Sequence, residues 1–136
     1  MLMKVFPHGT GEGDKPSRYL VRPDYPGRDT APPQVLRGDP AMTRALVDSI
    51  ERRWKFTSGA LSWHPDDTVS EEQEEEVMDA FEQVAFAGLE ADQRNILWVR
   101  HTHAGHHELH FLIPRLELSS GKDFNACPPG WQKDFD

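Results

Sequence analysis

Five of the seven histidines in this 136-residue chain stand at positions 101, 103, 106, 107 and 110, with Glu108 among them. Imidazole nitrogens and a carboxylate together suit Mn²⁺, Mg²⁺, Zn²⁺ or Ni²⁺. Two such groups at i and i+2 of a strand point to the same side, so Glu108 and His110 can share one ion. Residues 95–101 (NILWVRH) and 107–118 (HELHFLIPRLEL) are extended apolar runs, and the short polar stretch 102–106 (THAGH) between them is a hairpin signature. Leu97, Val99 and His101 alternate onto one face of the first run, and Glu108, His110 and Leu112 onto one face of the second. If these faces coincide, His101, Glu108 and His110 converge at the turn end of the hairpin. A His-Glu-x-x-His zinc motif is excluded, because Phe111 occupies the position its second histidine needs. His103, His106 and His107 suit an ordinary turn as well as a direct role.

The remaining elements must carry this hairpin. Residues 1–6 (MLMKVF) alternate weakly and predict a short strand, followed by a glycine-rich turn over 8–13 (HGTGEG). Asp14 can cap a short helix from Pro16 that carries Arg18 and Tyr19 and stops at Pro23. Residues 23–37 are proline-rich and receive no element. Asp39-Pro40 starts a helix reaching about residue 52, with Met42, Ala45, Leu46, Ser49 and Ile50 along one stripe. Residues 55–63 predict a strand. Ser70 and Gln73 form a capping box for a helix ending near Gly88, whose apolar side is expected to be Val77, Phe81, Val84 and Ala85 and whose acidic residues form a solvated face. Both helices are expected on one face of the sheet. Trp54, Trp63, Trp98 and Phe111 are expected in the core, and the segment 125–136 is expected to form no element.

Length favours one domain. No apolar run approaches the roughly 18 residues of a membrane span, and the first seven residues are too short for a secretory signal, so the expectation is a soluble, cytoplasmic protein. The lone Cys127 has no partner for a disulfide and no zinc-like neighbours. A net charge of −8 argues at first against nucleic acid. The charge is uneven, however: residues 1–56 sum to +3 and 57–136 to −11, with 11 acidic and no basic residues between Asp66 and Asp92. Whole-chain charge therefore does not decide what a particular groove binds.

His101-x6-Glu108-x-His110 followed by FLIP, together with Tyr19 in a Ser-Arg-Tyr-Leu context, resembles plasmid mobilisation relaxases related to the His-Glu-Asn group of the HUH endonucleases. The likeness extends along the chain through Val35-Leu36-Arg37-Gly38-Asp39-Pro40, Phe56-Thr57-Ser58-Gly59, Asn95-Ile96-Leu97-Trp98-Val99, Gly121-Lys122 and Asn125. This resemblance implies nicking of single-stranded DNA at a plasmid transfer origin in the bacterial cytoplasm. It makes Tyr19 the nucleophile that becomes linked to the 5′ phosphate, and His101, Glu108 and His110 the ligands of a divalent metal, foremost Mn²⁺ or Mg²⁺. Arg18, Arg22 and Arg37 are candidate DNA contacts, and accessory mobilisation proteins are candidate partners. One departure stands out: the family typically has Asn where this chain has His110, a change toward softer ligands.

The expected fold is α+β, a central and mainly antiparallel sheet flanked by helices, with the hairpin in its middle. One relaxase catalytic domain is expected over residues 1–136, incomplete at its C-terminal end because such domains commonly run further. Two rival functions remain: a DNA-binding or relaxosome-assembly protein of the same fold that does not cut, and a metal-dependent hydrolase that uses water in place of Tyr19.

Overall fold

The structure is a computed structural model that describes residues 1–7, 9–10, 32–102 and 105–134. Five strands form one antiparallel sheet: β1 (Leu2–Val5), β2 (Gln34–Arg37), β3 (Phe56–Ser62), β4 (Leu97–His101) and β5 (Glu108–Pro114). Their spatial order is β1-β3-β5-β4-β2, which places the β4–β5 hairpin centrally, as its apolar composition requires. Helix α1 (Pro40–Ser49) joins β2 to β3, α2 (Glu71–Ala85) joins β3 to β4, and a short α3 (Trp131–Asp134) lies near the C-terminal end.

Local chemistry explains the helix starts. Asp39 accepts a hydrogen bond from the Ala41 amide at 3.0 Å, with Pro40 in the first turn where a missing N–H costs nothing. Ser70 and Gln73 cap each other's backbone amides at 3.1 and 2.8 Å. Gly38 between β2 and α1 has φ +88°, and a Cβ there would lie 2.4 Å from the Ile96 carbonyl oxygen, so only glycine fits that turn.

Alternation divides the sheet into two faces. Leu109, Phe111 and Ile113 of β5 and Trp98 of β4 pack with Met78, Phe81 and Ala85 of α2. The opposite face carries Leu97, Val99 and Leu112, with Phe56 against them. No α1 residue joins the α2 cluster, and α1 instead approaches β5 and bonds Thr43 Oγ1 to Asn95 Oδ1 at 2.7 Å. The expectation that both helices share one apolar face is thus corrected.

Other differences have equally local causes. The proline-rich stretch contains a four-residue edge strand, β2, whose irregular pairing with β4 leaves little alternation to detect. The apolar stripe of α2 runs through Met78, Phe81 and Ala85 and includes the buried Glu74, whereas Val84 is 39% exposed. Trp98 and Phe111 are fully buried as expected, but Trp54 is exposed beneath the Arg53 guanidinium and Trp63 is only partly covered. The C-terminal segment does contribute an element, α3. The expected helix from Pro16, with Arg18, Tyr19 and Arg22, lies outside the described residues, as does His103.

Candidate metal centre

The register of the hairpin builds the cluster. His101 on β4 sits opposite Glu108 on β5, and Val99 sits opposite His110. Because Glu108 and His110 are two residues apart, their side chains leave the sheet on the same side as His101. One ligand atom from each of the three lies within 4.8 Å of the other two. The two imidazole rings are 4.2 Å apart between centroids and inclined by 32°.

His101 is 2% exposed and His110 8%, so the cluster is recessed into the sheet. Glu108 is hydrogen-bonded through both oxygens: His110 Nε2 donates to Oε1 at 3.0 Å, and His106 Nε2 donates to Oε2 at 2.8 Å. Burial pushes the Glu108 carboxyl up, but the bonds from His110 and His106 outweigh it and hold the group below the usual carboxylate range. The side chain is therefore anionic near neutral pH. Two imidazoles and one carboxylate, recessed and close enough to share one ion, form a donor set that fits a divalent cation. His106 would then orient Glu108 from behind, as a hydrogen-bonded neighbour does for a ligating carboxylate.

The turn bearing this cluster is tied to α2 from the opposite face. Glu74, with its side chain 3% exposed, accepts two hydrogen bonds from Arg100 at 2.7 and 2.5 Å and one from His107 Nε2 at 2.6 Å. The His107 ring also meets Trp63 edge-on, with centroids 5.4 Å apart. Burial raises the Glu74 pKa, but the bonds from Arg100 and His107 outweigh it and leave the carboxyl below its ordinary value.

Arg37 is not brought to the cluster. It faces α2, where Glu82, Glu75 and Asp79 accept its hydrogen bonds at 2.6, 2.8 and 2.8 Å. Burial works against the charged guanidinium, but the three carboxylates outweigh it and raise its pKa above the ordinary value. That arrangement braces α2 against the β2 edge and leaves the guanidinium little capacity for a phosphate. Cys127 is buried and its thiol is pushed up to about 12 by burial, which leaves it inert.

Residues 41–133, more than half of the chain, match the family model described as relaxase, MobA/VirD2-like, nuclease domain. The chain belongs to this relaxase family. It is similar to "Cryptic plasmid protein C" of Neisseria gonorrhoeae, with 43% identity over 122 residues that cover 90% of this chain and 58% of that protein. It is also similar to "DNA relaxase MbeA" of Escherichia coli, with 38% identity over 122 residues, 90% of this chain and 23% of the relative. The relaxase chain thus spans only part of the length of the relatives it matches. No solved structure matches it. Among the described residues, no helix is long and apolar enough to cross a membrane.

The cluster of this relaxase domain gives a direct prediction. Thermal unfolding with Mn²⁺ at about 100 times its Kd should show about 2.7 kcal/mol of added stability. For a domain of this size that corresponds to a Tm rise of roughly 10 °C. His101→Ala, compared with its own metal-free state, should show almost none of that rise. An undiminished rise in the variant would remove His101 from the ligand set.

Sequence reasoning missed one partner of the site. Glu74 sits in an acidic run that reads as solvated, yet positions 74, 78, 81 and 85 fall on one helical stripe. The sequence leaves His106 open between an ordinary turn residue and a direct role, and the structure sets it against Glu108, two residues on.

Proposed function

We propose that this relaxase domain, over residues 1–136, nicks and rejoins single-stranded DNA at a plasmid transfer origin through a covalent phosphotyrosine. The observation that carries this reading is the convergence of His101, Glu108 and His110 at one recessed point of a relaxase-family sheet. Tyr19, assigned by its sequence context, is the nucleophile. Its phenolic oxygen forms a bond to the scissile phosphorus, and the bond from phosphorus to the 3′ oxygen breaks. The phenolic proton is lost, and the leaving oxygen gains one to become a free 3′ hydroxyl. One phosphodiester replaces another, so the strand can later be rejoined by reversal.

His101, Glu108 and His110 would hold the divalent cation, which when bound supplies charge compensation and orientation to the scissile phosphate. Mn²⁺ or Mg²⁺ suits an oxygen-bearing substrate, and the second imidazole at His110 shifts the preference toward Mn²⁺ and later metals. Glu108, kept anionic and oriented by His106, contributes the only formal negative charge of the ligand set. Recession of the two histidines limits the water that competes for the site. Arg18 and Arg22 are assigned as phosphate contacts from their position beside Tyr19. The domain is assigned to the bacterial cytoplasm, where accessory mobilisation proteins would present the origin as a single strand.

The test uses labelled single strands tiling the DNA around the gene for this chain. With Mn²⁺, one of them should form a protein–DNA adduct that survives SDS, and chelation or His101→Ala should prevent it. Strand binding with no adduct from any tile would overturn the catalytic reading in favour of a relaxosome-assembly protein.

A further inference from the structure

A groove of about 690 Å³ runs from the candidate metal centre across β3 to the edge strand β1. Strand register explains its floor. Glu108 pairs with Ser62 and Ser62 with Leu2, while His110 pairs with Ala60 and Ala60 with Lys4. Two cross-strand rows therefore lead from the cluster to the edge on the face that carries its ligands. The middle positions are small, Ala60 and Ser62, so the floor is low. At the edge, Leu2 is 62% exposed and Phe6 37% exposed, although Met3 and Val5 of the same strand pack inward. The Phe6 ring lies 6.3 Å from the His110 ring. Among the described residues, no carboxylate pairs with Lys4.

Resting on the reading that the cluster holds a scissile phosphate, we propose that this groove takes the single-stranded DNA next to that phosphate. Phe6 is its base-stacking platform, and Lys4 its phosphate contact. Three observations carry the assignment. The groove is continuous with the cluster, sharing His106, Glu108 and His110 as its inner wall. It pairs an exposed aromatic ring with a cation, the combination that binds single strands without reading their sequence. From β5 to β1 it crosses two strand spacings, about 10 Å, which matches two or three stacked nucleotides at about 3.4 Å per step. The one acidic rim residue from the β3–α2 connection, Asp67, is turned into its own loop, where it accepts a hydrogen bond from the His64 amide at 3.2 Å.

The experiment measures binding of a dye-labelled 20-mer oligothymidylate and, separately, of Mn²⁺ to the 136-residue chain. Phe6→Ala should weaken oligonucleotide binding roughly 5- to 160-fold, the range for loss of one stacking platform. Lys4→Gln should weaken it and lower the dependence of log affinity on log salt by about one. Both should bind Mn²⁺ as wild type does, and Val84→Ala on α2 should change neither measurement. Wild-type binding that both groove variants retain would overturn the groove and leave the proposed function standing. Loss of Mn²⁺ affinity in parallel with DNA affinity would also overturn it, since the substitutions would then act by distorting the cluster. A wild type that binds neither the oligonucleotide nor any origin strand would overturn both assignments.

Discussion

Replacing Tyr19 with phenylalanine is expected to abolish the SDS-stable DNA adduct completely, while leaving the Mn²⁺-dependent rise in Tm and the affinity for single strands intact. The substitution removes one oxygen and nothing else, so a structural contribution of the ring is retained. A phenol with its ordinary pKa of about 10 is ionised in only about one molecule in a thousand at pH 7. Its attack on an anionic phosphodiester therefore needs charge compensation at the phosphate, which is the part assigned to the His101, Glu108 and His110 ligand set. Without the Oη atom no compensation can create the bond. If the variant still forms the adduct, another residue is the nucleophile. If it cuts but releases free ends, water is the attacking group and the domain is a metal-dependent hydrolase.

Glu74→Ala is expected to cost about 3 kcal/mol, because it removes the carboxylate that holds the largely covered Arg100 guanidinium and leaves Gln34 as its hydrogen-bond partner. In a domain of this length the Tm should fall by roughly 10 °C. Glu74→Ala with Arg100→Met should be less destabilised than Glu74→Ala alone, since an apolar pair avoids the unpaired charge. The effect should also depend on pH. The folded Glu74 pKa lies below its ordinary 4.5. Its contribution is therefore complete above about pH 4.5 and is lost as the pH falls through the folded value. Denaturant titrations of wild type and Glu74→Gln should accordingly differ most near pH 7 and converge in acid. A difference near zero from pH 7 to below the folded value would show that shape, which glutamine keeps, rather than charge is what Glu74 supplies.

The hairpin was legible in the sequence because two independent signals coincide there. Apolar runs flank a polar glycine turn, and the histidines fall at spacings that a two-residue period brings to one side. The antiparallel α+β class, the capped start of α1 and the capping box of α2 were legible for similarly local reasons. What sequence could not supply was relation between distant elements. Placing α1 and α2 requires the strand order, which brings β3 and β4 to either side of β5. Glu74 looks solvated beside Glu72, Glu75 and Glu76 until Arg100 and His107, far along the chain, are seen to meet it. Phe6 reads as part of a short strand, and its exposure beside His110 follows only from the pairing of β1 with β3. Arg37 reads as a free cation because its three acidic partners lie 38 to 45 residues away.

The central position of β5 has a consequence for how the protein comes to life. Residues 108–114 are the last of the five strands to be synthesised, yet they hold β3 on one side and β4 on the other. Until they leave the ribosome, β1 with β3 and β2 with β4 are two ribbons with no hydrogen-bonded ladder between them. Such marginal two-stranded pieces have little independent stability. The nascent chain therefore cannot assemble its ligands early: two of the three arrive on the strand that joins the ribbons. Completion of the sheet and assembly of the three-residue donor set become the same late event, so a half-made domain carries no finished cluster.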